Sequence, residues 1–192
     1  SSFNFLNINY IYFMFVQTEI TPNPNSLKFL PGKSVSNSGP YEITKKDNIK
    51  NELVRNILSI NGVEGIFLGQ DFISVNKNEE INWEEIKHII ISLINDFYAD
   101  GNDFIIDEDI IEDSLNLSEI EEKIVKILEQ KIRPAVARDG GDIKFKEFKD
   151  GVVKVQLQGS CSGCPSSTMT LKQGVQNLLC HYLPEVKEVV AI

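Results

Sequence analysis

Gly159-Ser160-Cys161-Ser162-Gly163-Cys164-Pro165-Ser166-Ser167 holds two of the three cysteines of this 192-residue chain. Two residues separate them, a spacing that lets both sulfurs face one point. Val152-Val153-Lys154-Val155-Gln156-Leu157-Gln158 leads in with the alternation of a strand, and the run from Pro165 to Tyr182 leaves with the spacing of a helix. The pair is therefore expected on a strand-to-helix turn. Pro165 suits the first helical position, because it has no N–H to leave unpaired and its φ is preset. That puts Cys164 at the N-cap. The free N–H groups of the first turn and the positive end of the helix dipole then favour thiolate at the sulfurs. Gly159 and Gly163 allow a tight turn and a close approach to a bulky group.

Three chemistries fit this turn. Two cysteines can be small buried hydrophobes, although the flanking Gly, Ser and Pro describe a loop. They can form a dithiol redox site, since such sites often use Cys-x-x-Cys at a helix start. They can also ligate metal, as half of the four thiolates that an iron–sulfur cluster usually takes. Spacing alone leaves the last two level.

Working outward, Val153, Val155 and Leu157 alternate with Ile143 and Phe145 across Lys149-Asp150-Gly151, an Asp-Gly hairpin signal. Arg138-Asp139-Gly140-Gly141-Asp142 is a turn before it. Upstream, Ser118 and Glu121 form a capping box, opening a helix with Ile120, Ile124, Leu128, Ile132 and Ala135 on one face. Pro134 is expected to kink or shorten its last turn. After the cysteines, Leu171, Val175, Leu178 and Tyr182 share a helical face, Pro184 stops the helix, and Val186 to Ile192 fits a final strand. Cys180 is sixteen residues past Cys164, roughly 24 Å along a helix rising ~1.5 Å per residue. It reads as a packing residue, and His181 is equally remote.

Residues 99–117 read differently. Asp100, Asp103, Asp107, Glu108, Asp109, Glu112 and Asp113 occur with no Lys or Arg, interrupted by isoleucines and leucines. This is an acidic, solvated linker, or else an amphipathic segment that docks on a domain or partner. From Lys123 to Ile192 there are 11 Lys+Arg against 7 Asp+Glu, a net of +4, in a chain whose formal net charge is −9. A basic cysteine domain beside an acidic linker is consistent with self-docking, an attraction that salt screens.

Before the linker, residues 14–98 read as a small α+β domain. Strands are expected at Phe15–Ile20 and Ser26–Leu30 around a rigid Thr21-Pro22-Asn23-Pro24-Asn25 turn. Asp47 is placed as the cap of a helix carrying Ile49, Leu53, Val54 and Ile57. Val63–Leu68 and Phe72–Val75 flank Gly69-Gln70-Asp71 as a hairpin. Asn82 with Glu85 opens a helix striped by Trp83, Ile86, Ile90, Leu93, Ile94 and Phe97. His88 has no visible partner and reads as a surface or partly buried histidine; Trp83 reads as core rather than a binding platform. Residues 1–13, apolar, aromatic and without a basic residue, are set aside as a leader or an upstream read-through. They are too short to span a membrane and lack signal-peptide charge.

Composition bounds the function. Hydrophobic residues at 42% and charged residues at 24% describe a globular chain, and the negative charge argues against general nucleic-acid binding. Three cysteines are too few and odd for a secreted disulfide framework. The expected architecture is α+β: two small α/β-sandwich-like domains, 14–98 and 118–192, joined by the acidic linker 99–117.

Arg138-Asp139-Gly140-Gly141-Asp142, the run Leu157 to Ser167, and Leu171-Lys172-Gln173-Gly174-Val175 together resemble the Nfu family, the NifU C-terminal-like iron–sulfur proteins. Gln17 to Phe29, QTEITPNPNSLKF, resembles that family's N-terminal domain. The resemblance covers residues 14–192. It implies a non-enzymatic carrier that binds a [4Fe-4S] cluster between two copies of the cysteine domain, through Cys161 and Cys164 of each, and passes it to apo-proteins. Implied partners are a second copy, apo iron–sulfur clients and upstream assembly proteins, with neither nucleic acid nor membrane. The implied compartment is cytoplasmic in a bacterium and the mitochondrial matrix in a eukaryote. A thiol–disulfide oxidoreductase cycling the same two cysteines is the alternative, but redox motifs of that kind commonly place proline between the cysteines, whereas Pro165 follows them. A structural zinc bridging two chains through four cysteine thiolates is a third option.

Overall fold

The computed structural model describes residues 16–37, 39–45, 50–103, 105, 116–163 and 165–192, with residues 165–167 as backbone only. The leader, Asp47, Ile49, Cys164 and residues 106–115 of the acidic run lie outside the described residues. The described part is α+β, with helices and two separate sheets.

The first sheet is antiparallel and ordered β1-β2-β5-β4-β3. Its strands are β1 (Gln17–Ile20), β2 (Ser26–Leu30), β3 (Tyr41–Thr44), β4 (Val63–Leu68) and β5 (Ile73–Lys77). The β4–β5 hairpin follows the expected pattern, with β5 running two residues further than Val75. The third strand was not anticipated, because Tyr-Glu-Ile-Thr is short and follows a polar loop; pairing of Ile43 with Ile66 holds it at the edge. Helices α1 (Glu52–Leu58) and α2 (Trp83–Ala99) cover one sheet face. Asn51, rather than the expected Asp47, caps α1: its side chain accepts the Val54 N–H at 3.1 Å, which satisfies a first-turn donor. On α2 the Asn82 N–H donates to the Glu85 carboxylate at 3.0 Å, and Ile86, Ile90, Ile94 and Tyr98 bury one stripe. Phe29, Ile66, Leu68, Ile73 and Val75 meet that stripe from the sheet. Ile105, at the start of the acidic stretch, is still part of this core. Its N–H donates to Val35 O at 2.9 Å and its carbonyl accepts from Asn51 Nδ2 at 2.7 Å.

The second sheet is three-stranded: β6 (Gly141–Lys149) antiparallel to β7 (Val152–Gly159), and β7 parallel to β8 (Glu188–Ala191). Asp150 and Gly151 both take positive φ, 51° and 79°, the backbone that a two-residue hairpin of this twist needs. Helix α3 (Glu119–Ile127) starts at the Ser118–Glu121 box. It continues as a π-helical segment, Leu128–Ile132, into α4 (Arg133–Arg138) with Pro134 in its first turn. Proline has no N–H for the usual i−4 carbonyl, and the wider π turn absorbs that loss. The added residue also shifts the stripe by one, so Val136 is buried where Ala135 was expected. Helix α5 (Pro165–Tyr182) crosses from β7 to β8. From Thr168 onward its buried positions are Val175, Leu179 and, just past the end, Leu183; Leu178 is only half-buried and Tyr182 is exposed, which corrects the expected stripe. No described helix is long and apolar enough to cross a membrane.

Candidate functional site

The cysteine turn begins where β7 ends. Gly159 takes φ 64°, and a Cβ there would lie 2.6 Å from the Gly140 carbonyl, so no larger residue fits. The Gly159 carbonyl accepts the Ser162 N–H at 3.1 Å and the Ser162 hydroxyl at 2.9 Å, closing the turn. Thr168, in the first turn of α5, donates its hydroxyl to the Cys161 carbonyl at 3.0 Å, fixing the turn to the helix. Gly163, with φ 77°, faces open space. The strand-to-helix placement expected from sequence is therefore observed for Cys161.

Cys161 itself is 8% exposed. A Cβ on Gly141 would lie 2.6 Å from its Sγ, so this glycine makes room for the sulfur. Beside it is a cleft of roughly 340 Å³ lined by Pro22, Val136, Asp139, Ser160, Thr170 and Leu171. Burial pushes the Cys161 thiol up to about 11; a Ser160 side-chain hydrogen bond lowers it, and the carboxylates of Asp139 and Asp142 add to the rise. For Cys161 in this arrangement, desolvation reverses the thiolate preference expected from a helix N-terminus.

Cys180 lies on α5, partly buried against the second core, as expected for a packing residue. His88 and His181 are exposed. Trp83 packs partly buried on the first core and donates its indole N–H to Pro24 O at 3.0 Å. Among the described residues, no three His, Cys, Asp or Glu side chains gather as a metal site.

Two features were not read from the sequence. Asp142, 4% exposed, accepts from Arg133 Nε at 2.9 Å and Nη2 at 3.1 Å, a two-point ion pair that ties α4 to the start of β6. The Arg-Asp-Gly-Gly-Asp run marked a turn, but nothing in a nine-residue separation names the partner. The other is the cover over the turn. Strand alternation puts Lys28, Glu42, Phe67, Ser74 and Asn76 on the sheet face away from α1 and α2, and this face meets the cysteine domain. Ser74 donates to Gly140 O at 2.6 Å, Asn76 Nδ2 to Gly159 O at 3.0 Å, and Asn23 Nδ2 to Ser162 O at 3.2 Å. Lys28 Nζ donates to Arg138 O at 3.1 Å and Ala137 O at 3.4 Å, a cation on the carbonyl end of α4. In the other direction, the Gly159 N–H donates to Glu42 Oε1 at 3.4 Å.

Two family models match the chain: one described as "Scaffold protein Nfu/NifU N terminal" over residues 16–101, the other as "NifU-like domain" over residues 124–190. The human protein named "NFU1 iron-sulfur cluster scaffold homolog, mitochondrial" is 44% identical over 183 residues, covering 93% of this chain and 72% of that one. "NifU-like protein 4, mitochondrial" of Arabidopsis thaliana is 42% identical over 187 residues, covering 92% and 65%. A solution structure of a NifU-like protein from Saccharomyces cerevisiae aligns at a TM-score of 0.46 with 30% identity, over 57% of this chain and 93% of that one. With identity at this level across most of both sequences, the chain belongs to the Nfu family of NifU-like proteins.

Proposed function

We propose that this protein is a non-catalytic iron–sulfur cluster assembly factor, which holds a [4Fe-4S] cluster between two copies of itself and hands it to apo-proteins. The cluster is cargo. Its ligands are Cys161 and Cys164 of each copy. The observation that carries this reading is the position of Cys161 on a glycine-bounded turn at the mouth of α5, beside a cleft, with Cys180 partly buried against the core far along the same helix. Each chain then offers two cysteine sulfurs where a cluster takes four. Sharing across a symmetric interface meets that count, and a shared cluster is exposed and readily released. Relatives named as iron–sulfur cluster scaffolds, and as mitochondrial, support the assembly role and a mitochondrial matrix location. The domains are 14–98 and 118–192, with the acidic linker 99–117 between them.

Anaerobic reconstitution, followed by iron and sulfide analysis and light scattering, tests it. Wild type should gain one cluster per two chains and become dimeric in the same step, because binding and association are linked. Cys161→Ser and Cys164→Ser should each abolish both; Cys180→Ser should abolish neither. A monomer carrying a full cluster overturns the shared-cluster reading. A colourless protein that only forms an intramolecular disulfide overturns the carrier role in favour of the oxidoreductase.

A further inference from the structure

We infer that the open face of the N-terminal sheet is a docking surface for the chain's own cysteine turn, and that the docked form and the cluster-bridged form exclude each other. The second half of this statement rests on the shared-cluster reading above; the first does not.

The face is built for this partner. Its donors, from Asn23, Lys28, Ser74 and Asn76, all end on main-chain carbonyls of residues 137–162. It therefore recognises the backbone path of the turn rather than any side chain on it. Two glycines of the turn are needed for the fit as well as for the fold: a Cβ on Gly140 would lie 2.7 Å from Ser74 Oγ, and one on Gly159 would lie 3.0 Å from the Phe67 ring. Phe67 is 2% exposed yet belongs to neither domain's apolar core; the Phe72 ring and Gly159 of the cysteine domain pack on it.

Docking covers one side of the turn, through Asn23 and Asn76, and leaves the Gly163 side open. Cys161 is buried against its own domain's core, Pro22 of the N-terminal domain helps to wall the cleft beside it, and Asn23 holds the carbonyl of Ser162 between the two cysteines. A cluster held by Cys161 and by cysteines of another chain needs that sulfur accessible to the second chain, and in the docked form it is buried. The face is also imperfectly satisfied. Ser26 Oγ and Asn76 Oδ1 are buried there without a hydrogen-bond partner, and water would reach them on opening. Polar, partly unsatisfied and intramolecular, the contact is suited to exchange rather than to permanence.

The test is thiol labelling of the full apo chain with iodoacetamide, resolved by peptide mass spectrometry, with Cys180 as the internal reference. Ser74→Arg places a bulky cation on the docking face, away from the core that holds the sheet together. In this variant the rate at Cys161 relative to Cys180 should rise at least tenfold. Asn76→Ala with Lys28→Ala should raise it several-fold, and serves if Ser74→Arg fails to fold by circular dichroism. An unchanged Cys161 rate in a folded variant overturns the docking. Small-angle scattering before and after reconstitution tests the exclusion: the loaded chain should have separated domains. Loaded protein whose domains remain docked overturns the exclusion. If wild type takes up no cluster, the carrier reading falls, and the labelling result still decides the docking.

Discussion

The two faces of the five-stranded sheet are both covered at their centres, for different reasons. On one, Phe29, Ile66 and Val75 are 0–1% exposed and meet only hydrocarbon from α1 and α2. On the other, Ser74 is also 0% exposed and Lys28 only 8%, but their partners are carbonyls of another domain. Exposure does not separate these faces; chemistry does. The first is held by the hydrophobic effect, which scales with apolar area and offers no alternative partner but solvent. The second exchanges protein hydrogen bonds for water hydrogen bonds at a small net cost, so it can open while the first stays intact.

Three measurements can break or sharpen this contrast. The largest effect belongs to the apolar face. Phe29→Ala should destabilise the N-terminal domain by about 3–5 kcal/mol, the cost of a cavity in a filled core, seen as a large fall in the denaturation midpoint. The next concerns pH. Burial raises the Cys161 thiol from 9.0 to about 11, so the folded form holds the proton more tightly than the unfolded form. Its stability is therefore complete below the ordinary thiol range and is lost as pH rises towards 11. Between pH 8 and pH 10.5 wild type should lose stability on the order of 2 kcal/mol relative to Cys161→Ser, read by denaturant titration at both pH values. The smallest effect belongs to the polar face. Asn76→Ala should shift global unfolding of the N-terminal domain by less than about 1 kcal/mol, because its lost bond is to a carbonyl that Ser162 still satisfies. A loss as large as that of Phe29→Ala would mean that the two faces are one core.

Periodicity made most of the fold legible. The α2 stripe, the β4–β5 hairpin, the Ser118 box and the Asp150-Gly151 turn each carry their signal within a few residues. The misreadings have local causes. Asp47 and Asn51 are both acceptable caps, and only the register of Leu53 and Val54 against the sheet favours the later one. The π segment adds one residue to a turn, which no repeating template anticipates, and so Val136 displaced Ala135. Leu178 and Leu179 are adjacent leucines, and a one-residue choice moved the whole α5 stripe. At the site, the turn and Cys161 were readable because glycine, proline and cysteine have narrow uses. The burial of Cys161 was not, since it depends on Gly141, twenty residues earlier, and on packing into the second core. Charge pointed to self-docking through the acidic stretch. Residues 106–115 of that stretch lie outside the described residues; the contact that is described is made by side chains of the sheet, Lys28, Glu42, Ser74 and Asn76.

The parallel pairing of β7 with β8 has a consequence for the order in which the molecule is made. An antiparallel partner can follow at once, but a parallel one must wait for the whole of α5. About 27 residues separate Cys161 from Glu188. At ~5–20 residues per second on the ribosome, that is roughly one to five seconds in which the thiol has left the tunnel ahead of the strand that completes its sheet. The N-terminal sheet needs nothing beyond Lys77 to finish its strands. A nascent chain thus carries its own shelter for the cysteine before the cysteine is synthesised.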